Sequence, residues 1–128
     1  MVMVKKIKES FLDDVKNHIM TINVNLPNGF KHITFSNPES IVHNFSIITH
    51  GDTLHYTGDM GTYSFRRPHT DMIALFGNET EIKPSYWLEK LISIDSIYGK
   101  RRHYLIWCLY ALNWGCAKFL NSIGDKYD

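Results

Sequence analysis

The sequence predicts an α+β fold in which an antiparallel meander sheet of about five strands is packed by an N-terminal helix and two or three C-terminal helices. Three observations carry this reading. Between His18 and Phe65, β-branched and aromatic runs alternate with Gly, Pro, Asn and Asp turn signals, and five such runs in direct succession favour antiparallel pairing. Ahead of them, Ile7, Phe11, Leu12 and Val15 recur at helical spacing. Behind them, the chain from about Arg101 to Ser122 is apolar on most faces.

The first helix covers Ile7 to Val15, with Lys8, Glu9, Asp13, Asp14 and Lys16 on the face opposite its apolar stripe. His18 to Val24 then alternates through Met20, Ile22 and Val24, the period of a half-buried strand. Pro27-Asn28-Gly29 supplies turn chemistry before Phe30 to Phe35, which makes these two runs a hairpin. Asn37-Pro38-Glu39-Ser40 and Gly51-Asp52 bracket the strand Ile41 to Thr49 and lead into Thr53 to Thr57. A tight hairpin at Gly58-Asp59-Met60-Gly61, with room for a bulge, returns the chain through Thr62 to Phe65.

Pro68-His69-Thr70-Asp71 reads as the start of a short helix carrying Met72, Ile73, Leu75 and Phe76, with Gly77 as its stop. Pro84-Ser85 opens a longer helix carrying Trp87, Leu88, Leu91 and Ile92. Gly99 closes the segment that leads to the last helix, whose Leu105, Trp107, Leu109, Leu112 and Trp114 are expected to pack on Phe35, Phe45, Ile47, Leu54 and Phe65 of the sheet. With no repeat, low-complexity tract or linker, residues 1–128 read as a single α+β domain.

Composition narrows the function classes. Hydrophobic residues at 44% and charged residues at 21% describe a globular chain rather than a disordered one. Fourteen Lys and Arg against 13 Asp and Glu leave a net charge of +1, too balanced for an acidic nucleic-acid mimic, and a polyanion binder would need its basic residues clustered. Cys108 and Cys116 lie eight apart in one helix, about 12 Å along its axis, too far to pair with each other. Free thiols suit a reducing compartment. Lys5, Lys6, Lys8 and Glu9 break any secretory signal at the start, and Tyr104 to Ala117, 14 residues including Asn113, falls short of the roughly 20 that span a bilayer. No membrane association is expected.

The sequence assigns no catalytic residue, metal site or cofactor. His43, His50 and His55 fall close together with Asp52 and Asp59, but His43 and His50 are an odd number apart and face opposite sides of a sheet. Ordinary strand histidines describe them better than zinc ligands do. A cysteine in mid-helix among Leu and Trp is more often a small buried hydrophobe than a nucleophile. Ser46, His50 and Asp52 lack a nucleophile elbow, and Gly58-Asp59-Met60-Gly61-Thr62 lacks the lysine and spacing of a phosphate loop.

The segment from Phe11 to Phe76 carries a family likeness. Phe11-Leu12, Asn17-His18-Ile19-Met20 and Gly29-Phe30-Lys31-His32-Ile33-Thr34-Phe35 lead to the most specific stretch, Gly58-Asp59-Met60-Gly61-Thr62-Tyr63-Ser64-Phe65-Arg66, followed by Asp71-Met72. This pattern resembles a family of small accessory proteins of temperate phages and prophages, marked by a Gly-Asp-Met-Gly-Thr-aromatic hairpin. Trp107-Cys108-Leu109-Tyr110-Ala111 and Trp114-Gly115 are similar to its closing helix. The chain departs from the family at His50-Gly51-Asp52, where Trp-Pro-Gly is common, and at Arg66-Arg67, where Ser-Arg is common. The resemblance implies a non-structural phage product in the host cytoplasm that binds a host protein or ribonucleoprotein complex, with inhibition of a defence system such as a CRISPR effector among its outcomes.

On this reading the partner-binding residues are Asp59 and Met60 at the hairpin, Tyr63, the basic pair Arg66 and Arg67, and Lys100, Arg101 and Arg102 before the last helix. A strand of about five residues spans only about 17 Å, so one partner is expected to reach both the hairpin and the basic pair. Arginine suits such a surface because its planar fork holds a carboxylate or phosphate while stacking on an aromatic such as Tyr63. The alternative is a nucleic-acid-binding module built on the same basic and aromatic clusters, and a less favoured one is a small metal-dependent hydrolase around His43, His50 and His55.

Overall fold

The computed structural model describes residues 2–27, 29–94 and 102–124. Its element order is α1 (Val2–Asp14), β1 (Ile19–Asn25), β2 (Lys31–Asn37), β3 (Ser40–His50), β4 (Thr53–Gly58), β5 (Gly61–Arg66), α2 (Met72–Gly77), α3 (Pro84–Lys90), β6 (Leu91–Ile94) and α4 (Arg102–Gly124). The strands form one antiparallel sheet in the order β1-β2-β3-β4-β5-β6. The α+β meander is as expected, with one strand more.

That sixth strand corrects the expected helix at Leu91 and Ile92. Lys90 is the last residue of α3, and Leu91 turns to an extended conformation (φ −71°, ψ 123°). The exposed edge of β5 then recruits it, pairing Phe65 with Leu91 and Ser64 with Ser93. Ile92, Ser93 and Ile94 gain little from helix, and an open sheet edge offers a full row of backbone partners.

One face of the sheet is the core. Ile33, Phe35, Phe45, Ile47, Leu54, Tyr56, Tyr63 and Phe65 alternate along β2 to β5 and are buried beneath the helices, α4 lying on Phe35, Phe45 and Ile47 while Phe76 of α2 and Trp87 of α3 pack on Phe65. Phe35, Phe45 and Tyr56 stack across three strands with ring centroids 5.0 and 5.4 Å apart. Of the helix residues expected here, Leu105, Trp107, Leu109 and Leu112 are buried, and Trp114 packs against the cluster while half-buried. Helix α4 is apolar all round because α1 and α2 flank it on its other sides. It sits close to the sheet at Gly115, where a Cβ would stand 2.9 Å from Phe35 Cε2.

Helix α2 ends on Gly77, as expected, and that glycine has a second role. It lies within α2, and a Cβ there would meet Leu120 Cδ1 at 2.6 Å and the Cys116 carbonyl carbon at 3.0 Å. The glycine permits α2 and α4 to touch. Asn113, the polar residue of the apolar helix, donates to the carbonyls of Phe76 and Glu79 and so satisfies the end of α2. The sheet's other face is polar: Thr34 bonds Ser46, Thr57 bonds Thr62 and His55 Nδ1 bonds Ser64. Among the described residues no helix is long and apolar enough to cross a membrane.

Candidate functional site

The turns β2–β3 and β4–β5 stand together at one end of the sheet, because Phe45 pairs with Gly58. The β4–β5 connection is a two-residue turn of Asp59 and Met60 closed by the Gly58–Gly61 pair, and the ladder shows no bulge. Gly61 takes φ 121°, a conformation that favours glycine. The Asp59 backbone N–H donates to Asn44 O at 3.2 Å, and its carboxylate turns back to accept the His43 N–H at 3.2 Å. Asp59 is therefore a latch on the neighbouring strand.

The latched residue is strained. His43 has φ 66°, one of two positive values among the described non-glycine residues, and such a backbone costs of order 1 kcal/mol or more unless its surroundings hold it. His18 Nε2 donates to its carbonyl at 2.8 Å, which completes the clamp. The His43 ring lies on Trp107 with centroids 5.5 Å apart and planes 28° from parallel. Its Nε2 is 3.7 Å from Asp14 Oδ2, and Trp107 Nε1–H donates to that same oxygen at 2.9 Å. Ile7 and Ser10 of α1, Met60 of the hairpin, and His103 and Tyr104 of α4 complete a cavity of about 260 Å³ around these three side chains. Just outside it, at the tip of β2–β3, Ile41 is 88% exposed and Val42 50%.

Of the partner-binding residues expected from sequence, Asp59 and Met60 are at this end, one as the latch and the other as cavity wall. Tyr63 is corrected: it is fully buried in the core, its hydroxyl donating to Met60 O at 3.2 Å, and presents no ring to a partner. It also lies three residues from Arg66, on the opposite face of the strand, so the two do not stack. Arg66 closes β5 at the far end of the sheet, away from the hairpin, and Arg67 follows it. Lys100 and Arg101 lie outside the described residues, as does the side chain of Arg102.

At that far end Asp52 organises the β3–β4 turn. Its carboxylate accepts Arg66 Nε at 3.1 Å and the His69 N–H at 3.2 Å. The Arg66 guanidinium first, and the His69 N–H second, hold its carboxyl below the ordinary value. A larger cavity of about 580 Å³ opens here, lined among others by Lys31, Thr49, Asp52, His69 and Asp71. Several of its polar groups are engaged: Lys31 with Asn25 and the Leu26 carbonyl, Thr49 with the Gly29 carbonyl, and one Asp71 oxygen, Oδ1, with the Ala74 N–H at the start of α2. The smaller cavity at the hairpin end has a carboxylate oxygen to spare. Asp14 Oδ1 has no hydrogen-bond partner among the described residues.

Asp14 and Ser10 were not singled out by sequence, His43 was weighed only as a metal ligand with His50 and His55, Tyr104 stood only at the start of the apolar stretch of the last helix, and Trp107 was read as core. One signal was present: an indole N–H in a buried helix requires an acceptor, and Asp14 is on the polar face of the helix that packs there. Burial pushes both cysteine thiols well up, away from the range of a thiolate nucleophile. His43 faces Trp107 while His55 bonds Ser64 and His50 meets Phe30, so the three histidines do not converge. Among the described residues no group of three or more His, Cys, Asp or Glu side chains is placed to hold a metal ion. No protein-family model, curated protein or solved structure matches the chain.

Proposed function

We propose that the protein works by binding a macromolecular partner through the hairpin end of its sheet rather than by catalysis. The observation that carries this is His43: a strained backbone, held by Asp59 and His18, sits directly beside the exposed pair Ile41 and Val42. Strain kept in place by specific hydrogen bonds is characteristic of functional positions, and a rigid apolar tip beside a concave aromatic cavity resembles the centre of a protein interface. The two thiols, the strongest nucleophiles of the chain, are buried and protonated, which supports binding over catalysis.

In the phage setting that the sequence resemblance implies, the partner is a host protein or ribonucleoprotein complex met in the host cytoplasm. The consequence of binding there is inhibition of a defence system such as a CRISPR effector. A nucleic-acid partner is less favoured, because Arg66 is already neutralised by Asp52. Affinity purification from host cells, with wild type beside an Ile41→Asp/Val42→Asp variant of unchanged melting temperature, tests the proposal. A host protein retained by the wild type and lost by the variant is expected. Retention by both, or a captured species that is nucleic acid released between 50 and 200 mM salt, would overturn it.

A further inference from the structure

We infer that the cavity behind His43 receives the guanidinium of a partner's arginine side chain. The inference rests on the proposed role of the hairpin end as the partner surface and names what that surface recognises.

Size comes first. At about 260 Å³ the cavity is below the roughly 300–1,000 Å³ of pockets that hold drug-sized ligands, so a single side chain suits it better than a nucleotide or cofactor. Charge comes second. The described residues that line it are Ile7, Ser10, Asp14, His43, Met60, His103, Tyr104 and Trp107; among these described residues none is Lys or Arg, and Asp14 is the one carboxylate. The Asp14 side chain is 21% exposed, so the carboxylate is reachable yet largely withdrawn from water, where pairing with a cation is stronger than in bulk solvent. Oδ2 is occupied by the Trp107 indole N–H and faces His43, which leaves Oδ1 with lone pairs directed elsewhere.

The third consideration is the shape of the walls. Tyr104 is half-buried and His103 exposed beside it, with ring centroids 4.4 Å apart, so aromatic surface adjoins the carboxylate. A planar guanidinium stacks on such surface and reaches a carboxylate in the same pose, whereas a compact ammonium does so less well. Ile41 and Val42 outside the cavity then cover the aliphatic stem and its apolar neighbours, as long cationic side chains require.

The test uses the Trp107 indole N–H as reporter, because its partner is the carboxylate in question. The full chain is titrated with N-acetyl-arginine amide, and in parallel with the citrulline analogue, at about pH 8, above the ordinary histidine range, while the indole N–H resonances are followed by NMR. A saturable shift of the Trp107 signal is expected with the arginine probe, with binding at least about tenfold weaker for the neutral analogue. Asp14→Asn is expected to abolish the shift, as is Ser10→Phe, which fills the cavity from an exposed helix position without touching the core. Equal binding of the two probes, no saturable shift, or retention of binding by folded Ser10→Phe would overturn the inference. If the arginine probe fails while Ile41→Asp/Val42→Asp still loses the partner, the interface stands and the cation site falls.

Discussion

The two ends of the sheet use one local device in two environments. At the hairpin end Asp59 accepts the N–H of His43, and at the far end Asp52 accepts the N–H of His69, with both histidines at positive φ, 66° and 57°. His43 is then covered, its ring on Trp107 and its nitrogen towards Asp14. His69 stays exposed in the loop before α2, and the Asp52 carboxylate beside it is spent on Arg66. An aspartate latch that turns a histidine backbone is thus not sufficient to make a site. What differs is whether helices close over the histidine ring.

Replacing Trp107 produces the largest effect expected from this difference. Trp107→Ala removes the plate under His43 and the donor to Asp14 together, and as a large core truncation it should lower stability by about 3–5 kcal/mol in chemical denaturation. Arg66→Ala at the far end should cost about 0.5 kcal/mol or less, since its ion pair is exposed. Comparable losses at the two ends would erase the distinction drawn between them.

Glycine at each strained histidine sharpens it. His69→Gly relieves an unfavourable backbone and loses no packed ring, so it should be neutral or stabilising by up to about 1 kcal/mol. His43→Gly relieves similar strain but forfeits the Trp107 stack, so a net loss of about 1 kcal/mol is expected. Thermal melts of the two variants read the difference directly, and a gain at His43 would mean that its ring contributes nothing.

The smallest effect is electrostatic. Asp52 is held below its ordinary value in the folded chain, so its contribution to stability is complete above the unfolded-state pKa and disappears as pH falls through the folded one. In Arg66→Ala the Asp52 carboxyl should titrate at higher pH than in wild type, as followed by carboxyl NMR, because the largest cause of its shift is gone. An unchanged titration would assign the shift to the His69 N–H alone.

Much of the sheet was legible in the sequence, because period-two runs between turn residues mark buried strands wherever one face is covered. Phe35, Phe45, Ile47, Leu54 and Phe65 are all in the core they were expected to form. Strand β6 was not legible, since Leu91 and Ile92 continue a helical pattern and only the waiting edge of β5 decides against it. The site was half legible. Gly58-Asp59-Met60-Gly61 announced a hairpin, but Asp14 is 29 residues before His43 and 93 before Trp107 in the chain, and no local pattern encodes their meeting. Tyr63 was misplaced because an aromatic beside a basic pair looks like a binding surface until strand alternation is applied to it.

The most direct test of the hairpin end as the working surface compares partner affinity for variants of the two ends, each confirmed to be folded. Ile41→Asp/Val42→Asp should weaken binding by more than tenfold, as hot-spot truncations do, while Arg66→Ala/Arg67→Ala should leave it within about twofold at 150 mM salt. Loss of binding in the arginine pair with retention in the apolar pair would contradict the account and move the surface to the far end of the sheet.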